Sequence, residues 1–493
     1  MQVLLVTSEA YPLIKTGGLA DVSSALPKAL KNLKAFKGDI KILLPGYTAV
    51  LDQIESPKKI ATIDVLGQTC TLLMGKMPKS QSKQNADDSV DVIAIQNTFL
   101  YERSGGPYND EDGEDWSDNA LRFAVLSRVA SLLCSEATPY KAWRPTLVHC
   151  NDWQTGLVPA YMKLVDHSTV KSIFSIHNLA FQGCFDASYL STLELPISHF
   201  NMNGFEYHEQ ISFLKAGLFY ADKLSTVSPT YADEIQTPTF GFGMEGLLQT
   251  RKDDLVGILN GIDTLDWNPA IDEYLPKHYT ASRITGKKAV KKHLQQQLGL
   301  EDKADSPLLG VVSRFTHQKG LDLLPAIIPQ LVAKGCQFAI LGSGDSTIEA
   351  KFKVLAKQYP SQVSVTVDYN ESLSHNIMAG TDMFVMPSRF EPCGLNQMYG
   401  MAYGTPPIVS PTGGLADSVV DSDEATIKQK TATGFVLDEV STTAMLAGVT
   451  RAITYWRDKP IWRGIQRNGM QLDLSWESRA QAYLQLYQAL LLT

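Results

Sequence analysis

The sequence is poor in cysteine. Six cysteines occur among its 493 residues, and no two of them stand at Cys-x-x-Cys spacing or in a Cys/His run typical of zinc sites. So sparse a set excludes a disulfide scaffold and favours reduced thiols, as in cytoplasmic proteins. We therefore expect a cytoplasmic protein without a metal site.

Positive charge and long apolar runs are also scarce. The formal net charge is −8, which argues against a general nucleic-acid binder, although a local basic pocket can still bind phosphate. No stretch of about 18 apolar residues exists to span a membrane. The apolar start Met1–Val6 lacks a basic region and is too short for a signal peptide, so it predicts a first strand. We expect neither nucleic-acid nor membrane partners.

Short apolar runs, each followed by a turn signal and a helix-period stretch, recur along the chain. Runs bounded by Gly, Pro, Ser or Asn suit buried parallel strands, and their alternation with helices predicts right-handed βαβ units in an α/β protein. The clearest runs are Val3–Val6, Ile40–Leu44, Val92–Ile95, Leu147–Cys150, Ser172–Ile176, Leu224–Val227, Val256–Leu259, Leu308–Val312, Phe338–Leu341, Val363–Val367, Met383–Met386 and Pro407–Val409.

The chain is too long for one core, and its runs fall into two series, which predicts domains at 1–253 and 254–469. Between the series, Thr237–Gln249 is expected to be a loop over a cleft. Tyr101–Asp118 predicts a surface loop, and the polar segment Lys79–Asp91 predicts disorder or a hairpin tip. Doubly wound domains bind ligands beyond the carboxyl ends of their strands, so the interdomain cleft is the predicted site.

Two glycine-paired loops share six consecutive residues, Thr16–Asp21 and Thr412–Asp417. A chance repeat of this length is expected in on the order of one such chain in a hundred. Paired glycines allow positive φ and close approach of a ligand, and the helix that follows offers free amides to a phosphate. Lys15 adds charge to the first loop only. A tight turn that binds nothing is the alternative, which the matching pair disfavours.

A basic loop and an acidic loop follow two later strands. Arg314 and Lys319 lie five residues apart across a turn, an arrangement that suits a diphosphate, although two solvated charges are the alternative. Glu391 precedes a helix expected to begin near Gly394, where a carboxylate can bind sugar hydroxyls or simply cap the helix. Cys393 is predicted to be a buried small side chain and not a nucleophile, because no base stands beside it in the sequence.

Two strand ends of the first domain carry polar clusters. Asp152 next to Trp153 follows one strand, and His177 next to Asn178 follows another. Carboxylate and amide groups for hydroxyls, with an aromatic face for the ring, are typical of carbohydrate sites. A lone histidine is more often structural, and His177 has no evident nucleophile as a partner.

Taken together, these motifs closely resemble those of bacterial glycogen synthases and starch synthases, in the same order over nearly the whole chain. The Lys-Thr-Gly-Gly-Leu and Glu-Pro-Cys-Gly-Leu motifs are highly specific jointly. The matching stretches are Lys15–Asp21, His149–Gly156, Ser175–Gly183, Gly204–Ala221, Gly243–Leu248, Leu259–Asp263, Val312–Leu321, Ser388–Gln397 and Thr412–Asp417.

The resemblance implies a GT-B glycosyltransferase with two Rossmann-like domains, a deep interdomain cleft and a final helix, 470–493, that crosses back onto the first domain. It implies retaining transfer of glucose from ADP-glucose to the non-reducing end of an α-1,4-glucan, either glycogen or a maltooligosaccharide. ADP-glucose is then a substrate, and no cofactor is implied.

The family's functional residues carry over position by position. The implied catalytic residues are Lys15, Asp152, His177, Arg314, Lys319 and Glu391. The implied donor contacts are Lys15, Gly17, Gly18, Arg314, Lys319, Tyr369, Glu391, Cys393, Gly394, Leu395, Asn396, Thr412, Gly413 and Gly414, with Tyr369 beside the adenine. The implied acceptor contacts are Asp152, His177 and Asn178.

The sequence departs from the family pattern in three places. Gln154 stands where His is common, Ser410 stands where Arg often precedes the second glycine loop, and Tyr399 fills the slot of a second Glu in related retaining transferases. The first two departures concern acceptor contacts and donor affinity. A UDP-sugar transferase and a catalytically silent glucan-binding protein are the rival functions, and a covalent intermediate remains open.

Overall fold

The computed structural model describes residues 1–78 and 89–492. Of the segment Lys79–Asp91, residues 79–88 lie outside the described residues. The chain forms two compact units: unit 1 comprises Met1–Gly261 and the chain from Trp476 onward, and unit 2 comprises Ile262–Ser475. Every predicted apolar run overlaps a strand of one unit.

The main sheet of unit 1 is mostly parallel, with the order β12-β11-β7-β6-β1-β2-β5-β4-β3. Its chain order reverses beside β1, which has β2 on one side and β6 on the other. A smaller antiparallel sheet has the order β8-β10-β9. The strands are β1 (Gln2–Val6), β2 (Asp39–Pro45), β3 (Glu55–Val65), β4 (Gln68–Lys76), β5 (Asp91–Gln96), β6 (Leu147–Asn151), β7 (Lys171–Ile176), β8 (Cys184–Asp186), β9 (Glu206–Tyr207), β10 (Gln210–Ser212), β11 (Lys223–Thr226) and β12 (Leu255–Gly257).

The antiparallel edge hairpin β3–β4 was not predicted. Its strands are long and largely polar on one face, so they lack the apolar runs of buried strands. Leu66 and Gly67 turn the chain with φ of +49° and +71°, values that suit the tight turn of a hairpin. The hairpin forms one edge of the unit 1 sheet, with β3 as the outermost strand.

Strand β12 corrects the predicted boundary at 253/254. It pairs in parallel with β11, so it belongs to the first sheet and not to the second series. The division between the units therefore falls after Gly261. The helices of unit 1 up to that point are α1 (Gly18–Asn32), α2 (Thr48–Gln53), α3 (Asn119–Cys134), α4 (Leu157–Leu164), α5 (Tyr189–Thr192), α6 (Phe213–Tyr220), α7 (Pro229–Glu234) and α8 (Glu245–Thr250).

The two predicted loops of unit 1 differ in local structure. The stretch Thr237–Gln249 contains most of α8, which buries Leu248. Within Tyr101–Asp118, the Tyr101 ring is buried and its phenol donates to the Arg122 carbonyl at 2.6 Å. Tyr101–Asp118 contains no helix or strand and is largely exposed, so it is the predicted surface loop with a buried anchor at Tyr101, whereas Thr237–Gln249 includes part of a helix.

The sheet of unit 2 is wholly parallel over the described residues. Its order is β15-β14-β13-β16-β17-β18, which is 3-2-1-4-5-6 when the strands are numbered within the unit. This is the Rossmann order, and ligands of such sheets bind where the order reverses, here between β13 and β16. The strands are β13 (Leu308–Val312), β14 (Gln337–Leu341), β15 (Val363–Thr366), β16 (Met383–Met386), β17 (Pro407–Val409) and β18 (Phe435–Val436).

Helices of unit 2 cover the sheet and enclose an apolar core that includes Phe338, Phe352 and Trp462. They are α9 (Gly286–Gln297), α10 (Ile328–Val332), α11 (Ser346–Gln358), α12 (Glu371–Gly380), α13 (Asn396–Ala402), α14 (Gly413–Ser418), α15 (Glu424–Gln429), α16 (Thr442–Arg457) and α17 (Lys459–Gln471). The last helix, α18 (Trp476–Leu491), packs against α1 in unit 1. None of the helices in 1–78 or 89–492 has the length and apolar character needed to cross a membrane.

Candidate active site

The switch point of unit 2 is built from the loops that follow β13 and β16. Gly320 has a φ of +65°, and a Cβ there would lie 2.0 Å from the carbonyl oxygen of Pro387, so only glycine permits this approach. The Arg389 guanidinium donates two hydrogen bonds to the Asp322 carboxylate, at 2.6 and 2.8 Å. This pairing lowers the pKa of Asp322. The two loops are therefore tied into one edge.

A buried ion pair lies at this edge. Glu391 is 5% exposed, and its two oxygens accept hydrogen bonds from Lys319 Nζ at 2.8 and 2.7 Å. Its Oε2 also accepts a hydrogen bond from Ser388 Oγ at 2.9 Å. Helix α13 begins at Asn396, so Glu391 is too far upstream to be its cap. The helix-capping alternative for Glu391 is thus wrong.

The ion pair changes the charge balance expected of the basic loop. Lys319 is neutralised by Glu391, whereas the Arg314 side chain is exposed at the end of β13. The three side chains together carry one net positive charge. An anionic ligand would therefore meet Arg314 first and could compete with Glu391 for Lys319.

The segment from Cys393 to Asn396 is held by hydrogen bonds at the start of α13. Gly394 has a φ of +70°, and the Asn396 amide donates to the Val312 carbonyl at 2.7 Å. The Gln397 amide donates to the Cys393 carbonyl at 3.1 Å, and Cys393 itself is buried. Leu395 occupies the N-cap position. The first amides of α13 thus lie at the carboxyl edge of the sheet.

The second glycine loop is packed against the Glu391 loop. Gly413 has a φ of +44°, and a Cβ there would lie 2.0 Å from the Glu391 carbonyl oxygen. A Cβ at Gly414 would lie 2.2 Å from the Cys393 carbonyl oxygen. Thr412 caps α14 through its backbone. Backbone packing alone therefore requires both glycines, whatever ligand binds nearby.

Five buried polar side-chain atoms of unit 2 have no hydrogen-bond partner among the described residues; two are Asn376 Oδ1 and Trp462 Nε1, and the other three come from segments at the carboxyl edge of the sheet. These three are Thr316 Oγ1, Gln397 Oε1 and Ser410 Oγ, from the loop after β13, from α13 and from the end of β17. Because buried polar groups are nearly always satisfied, these atoms mark an edge suited to a polar ligand. Ser410 replaces the arginine that is frequent at this position in the resembled family.

Tyr369 lies beyond the end of β15, at the same edge of the parallel sheet. Its side chain is 75% exposed, and its phenol donates to the Glu371 carboxylate. The ring is thus fixed at its tip while much of its surface faces solvent. Such a ring can stack on a nucleobase.

Glu9 organises the first glycine loop in unit 1. It is 2% exposed, and its Oε2 accepts the backbone amides of Thr16 at 2.5 Å and Gly17 at 3.3 Å. Its Oε1 accepts the Thr16 hydroxyl at 2.7 Å and the Tyr108 phenol. One buried carboxylate therefore holds the turn that leads into α1.

The first glycine loop differs from the second in how its glycines are used. Gly17 is extended, with φ of −159°, and a Cβ there would meet no heavy atom within 4 Å. The expectation of positive φ is wrong for Gly17, and its packing does not demand glycine. Lys15 Nζ lies 2.9 Å from Asp21 Oδ1 and 5.3 Å from the centre of the Tyr11 ring.

Asp152 has a strained backbone at the end of β6. Its φ of +57° and ψ of −179° fall in a region that residues other than glycine rarely adopt, and such strain clusters at functional sites. Its Oδ1 accepts the backbone amides of His177 at 2.7 Å and Asn178 at 3.3 Å. Burial nevertheless raises the pKa of Asp152 to about 7. The structure therefore joins the three predicted acceptor residues.

His177 is neutral at pH 7, because burial lowers its pKa to about 4. Its Nε2 lies 2.9 Å from Oδ1 of Asn151, whose amide nitrogen donates to the Val6 carbonyl. Nε2 therefore carries the proton and donates it, which leaves Nδ1 as an acceptor. A neutral imidazole in this state supplies no positive charge to the site.

The Trp153 ring is not the open sugar platform that the sequence suggested. Its ring centre lies 4.9 Å from that of Phe123, 5.8 Å from Phe185 and 6.4 Å from Phe213. A Cβ at Gly183 would lie 2.2 Å from the indole. Because the ring packs into this aromatic cluster, it supports the loops and does not form an exposed wall.

Sequence reasoning missed three features of these edges. Glu9 and Ser388 were missed because each bonds another residue of its own loop, Thr16 and Gly17 for Glu9 and Glu391 for Ser388, and no motif marks these pairs. The turn Gly342–Gly344 after β14 did carry a local sequence signal, because it is a Gly-x-Gly between a strand and a helix. A Cβ at Gly342 would lie 1.8 Å from the Ser313 carbonyl oxygen, so this turn supports the loop of Arg314.

Comparisons with known families match both units. Residues 2–250 match the family described as the starch synthase catalytic domain, and residues 292–460 match the family described as glycosyl transferases group 1. The first match covers half of the chain, and the second covers most of unit 2.

Similar proteins share the whole length of the chain. It is 48% identical over 493 residues to a glycogen synthase of Nitrosomonas eutropha, covering 100% of this chain and 96% of that protein. It is 47% identical to a glycogen synthase of Nitrosospira multiformis, covering 100% and 97%. The catalytic domain of starch synthase IV from Arabidopsis thaliana, solved with ADP and acarbose, has a TM-score of 0.87 at 30% identity, covering 100% of this chain and 99% of that one.

Proposed function

Because the chain belongs to the family of glycogen synthases and starch synthase catalytic domains, we infer that it transfers glucose from ADP-glucose to the non-reducing end of an α-1,4-glucan. The transfer retains the anomeric configuration and lengthens the glucan by one residue. The fold is that of GT-B hexosyltransferases, with two Rossmann-like units. The observation that carries this function at the site is the buried Lys319–Glu391 pair at the switch point of unit 2.

Unit 2 is proposed to hold the nucleotide part of the donor. Arg314 and Lys319 are the cations that suit its two phosphates, and the exposed Tyr369 ring suits the adenine. The other proposed donor contacts are the segments Cys393–Asn396 and Thr412–Gly414, which offer backbone amides and polar groups at the same edge of the sheet.

Departure of ADP is proposed as the first bond change. The bond from the anomeric carbon to the phosphate oxygen breaks, and Arg314 and Lys319 neutralise the charge that develops on the phosphate. Positive charge on the sugar ring is stabilised by Glu391 and by the backbone carbonyl of His177. The acceptor O4 then bonds to the anomeric carbon from the same face, and its proton passes to the leaving phosphate oxygen.

Unit 1 is proposed to bind the acceptor and part of the donor. Asp152, His177 and Asn178 supply a carboxylate, an imidazole and an amide, and the Asp152 carboxylate holds the three residues together by accepting the backbone amides of the other two, a set that suits sugar hydroxyls. Lys15, with Gly17 and Gly18, is proposed to contact the donor. The space around Gly17 supports this, since a ligand can approach its backbone.

We also propose that no metal is required and that the enzyme acts in the cytoplasm. The cations of Arg314 and Lys319 can take the charge-neutralising role that a divalent metal plays in other transferases. All six cysteines are free thiols, which suits a reducing compartment.

One assay tests the function as a whole. Purified protein with labelled ADP-glucose and glycogen, in the presence of a chelator, is expected to incorporate glucose into glycogen, and maltooligosaccharides are expected to serve as shorter acceptors. Preference for UDP-glucose would instead assign a different donor. Glucan binding without incorporation from either donor would identify a silent binding protein and contradict the proposal.

A further inference from the structure

Three loops of unit 1 meet beside Asn178 and expose aromatic rings. The first follows β7, the second is the short β9–β10 hairpin, whose strand β9 contains Tyr207, and the third precedes α8. We name Phe181, Tyr207 and Phe242 the aromatic ledge. Phe181 is 53% exposed and Phe242 is 37% exposed, which is unusual for large apolar side chains grouped on one surface.

The ledge is held rigidly through one carbonyl group. The Phe242 carbonyl accepts a hydrogen bond from Gln182 Nε2 at 2.8 Å and another from the Tyr207 phenol at 3.2 Å. These two bonds connect all three loops at a single oxygen. Loops that are already held in place bind a ligand at lower entropic cost than mobile loops.

Backbone strain accompanies this arrangement. Phe242 has a φ of +48°, a value that a bulky residue rarely adopts. Gly243 follows with φ of +83°, and a Cβ there would lie 2.0 Å from the Tyr207 hydroxyl. The chain thus keeps Phe242 in an unfavourable conformation that leaves its ring partly exposed, and strain of this kind concentrates at ligand sites.

The ledge continues directly from the proposed acceptor residues. The Phe181 amide donates to the Asn178 carbonyl at 3.2 Å, so Phe181 is one turn beyond Asn178. None of the three ledge side chains is charged at pH 7, which suits an uncharged polymer. Aromatic faces pack well on the apolar faces of sugar rings.

We propose that the aromatic ledge binds the α-1,4-glucan acceptor beyond its terminal residues, and so selects longer chains. This inference rests on the proposed function, because it takes the acceptor to be an α-glucan. A chain of about seven glucose residues bound at Asp152 and Asn178 would cover more of the ledge than a chain of two.

The test compares acceptors of different length in Phe181→Ala and Phe242→Ala. For maltoheptaose, KM is expected to rise about tenfold, the loss that one stacked ring produces. For maltose the change is expected to stay within about twofold, and KM for ADP-glucose is expected to be unchanged. Phe99→Ala is the matched control, since Phe99 is exposed in the same unit but packs against Arg103 at 5.1 Å.

Equal losses for maltose and maltoheptaose, or no loss for either, would overturn the proposal. Calorimetric titration of maltoheptaose into the full-length protein gives an independent readout that does not require turnover. Weaker binding to Phe181→Ala than to Phe99→Ala would support the ledge even if the wild-type protein transferred no glucose. Equal binding to both variants would reject the ledge whether or not transfer occurs.

Discussion

The pairing of Lys319 with Glu391 determines what either side chain can do. In the structure the lysine is the counter-ion of a carboxylate that is only 5% exposed. In the proposed mechanism a donor phosphate would share that lysine, and the negative charge of Glu391 would then be less compensated beside the sugar. The same contact can therefore serve stability and catalysis.

We expect Lys319→Ala to lower kcat/KM for ADP-glucose by about a hundredfold or more, since a charge aimed at the leaving group is lost. The variant should also unfold at a lower temperature, because Glu391 then remains buried without its partner. Steady-state kinetics and thermal unfolding measure the two effects. Lys353→Ala is the control, since Lys353 forms only a surface pair with Glu349 at 3.2 Å. Near-normal turnover of Lys319→Ala would disprove the phosphate role.

The two glycine loops should respond differently to alanine. Gly413→Ala places a Cβ 2.0 Å from the Glu391 carbonyl, so the free energy of unfolding should fall by about 2–3 kcal/mol. Gly17→Ala meets nothing within 4 Å, so its stability should stay within about 0.5 kcal/mol of wild type while KM for the donor rises. Denaturant unfolding and kinetics of both variants give the comparison. Equal destabilisation would refute the distinction.

Asp152 predicts a pH dependence of stability. Burial raises the pKa of Asp152 to about 7 in the folded state, above the ordinary value of 3.8 for an aspartate. A raised pKa means that the protonated form favours folding, so this contribution is full below about pH 4 and is lost as pH rises through about 7. The unfolding temperature of the wild type should fall relative to that of Asp152→Asn as the pH rises from 5 to about 8. A constant difference across that range would contradict the assignment.

Much of the site was predictable at the residue scale, for a physical reason. Lys15, Arg314 and Glu391 each stand in the loop that follows an apolar strand, so their positions near a sheet edge follow from the chain order. Glu9 was not predictable, because its partners Thr16 and Gly17 reach it only after the turn has folded.

At the scale of elements, α18 matters through one buried hydrogen-bond chain. His149 in β6 lies between the Tyr487 phenol, at 2.7 Å from Nδ1, and Ser175 Oγ, at 2.6 Å from Nε2. Burial lowers the pKa of His149 to about 3, so the ring is neutral and needs both partners. The last helix is thereby bonded to the central strands that carry Asp152 and His177.

Removing the Tyr487 hydroxyl should break this chain. Tyr487→Phe leaves a buried nitrogen of His149 unpaired, which should lower the free energy of unfolding by about 1–3 kcal/mol. Denaturant titration measures the change. Tyr189→Phe serves as the control, because the Tyr189 phenol makes only an exposed 3.3 Å hydrogen bond to Ser117. A similarly small effect in both variants would show that α18 is held by apolar packing alone.

For the whole molecule, the parallel strands were predictable from the sequence, whereas the edges of the unit 1 sheet were not. Buried strands need apolar runs on both faces, and each predicted run overlaps a strand. The hairpin β3–β4 faces solvent on one side, so its sequence is polar and carries little signal. The boundary was misplaced because β12 looks like a strand of the second series, and only its pairing with β11 reveals its sheet.

Ligand binding should stabilise the whole protein through unit 2. At an ADP concentration about 100 times its dissociation constant, the gain is expected to be about 2.7 kcal/mol, seen as a higher unfolding temperature in calorimetry. Arg314→Ala should weaken this shift, because its exposed guanidinium is the uncompensated charge at the phosphate edge. An ADP-induced shift of the same size in the variant would remove Arg314 from the nucleotide site.

The return of the chain to unit 1 at Trp476 sets an order for biosynthesis. Unit 2 ends at Ser475, so all of its residues are translated before α18. Most of unit 1 is translated before unit 2, yet it cannot bond His149 to Tyr487 until α18 has been made after unit 2. The nascent domain translated second is therefore the first that can finish folding, and the one translated first must wait with an open face that invites chaperone binding.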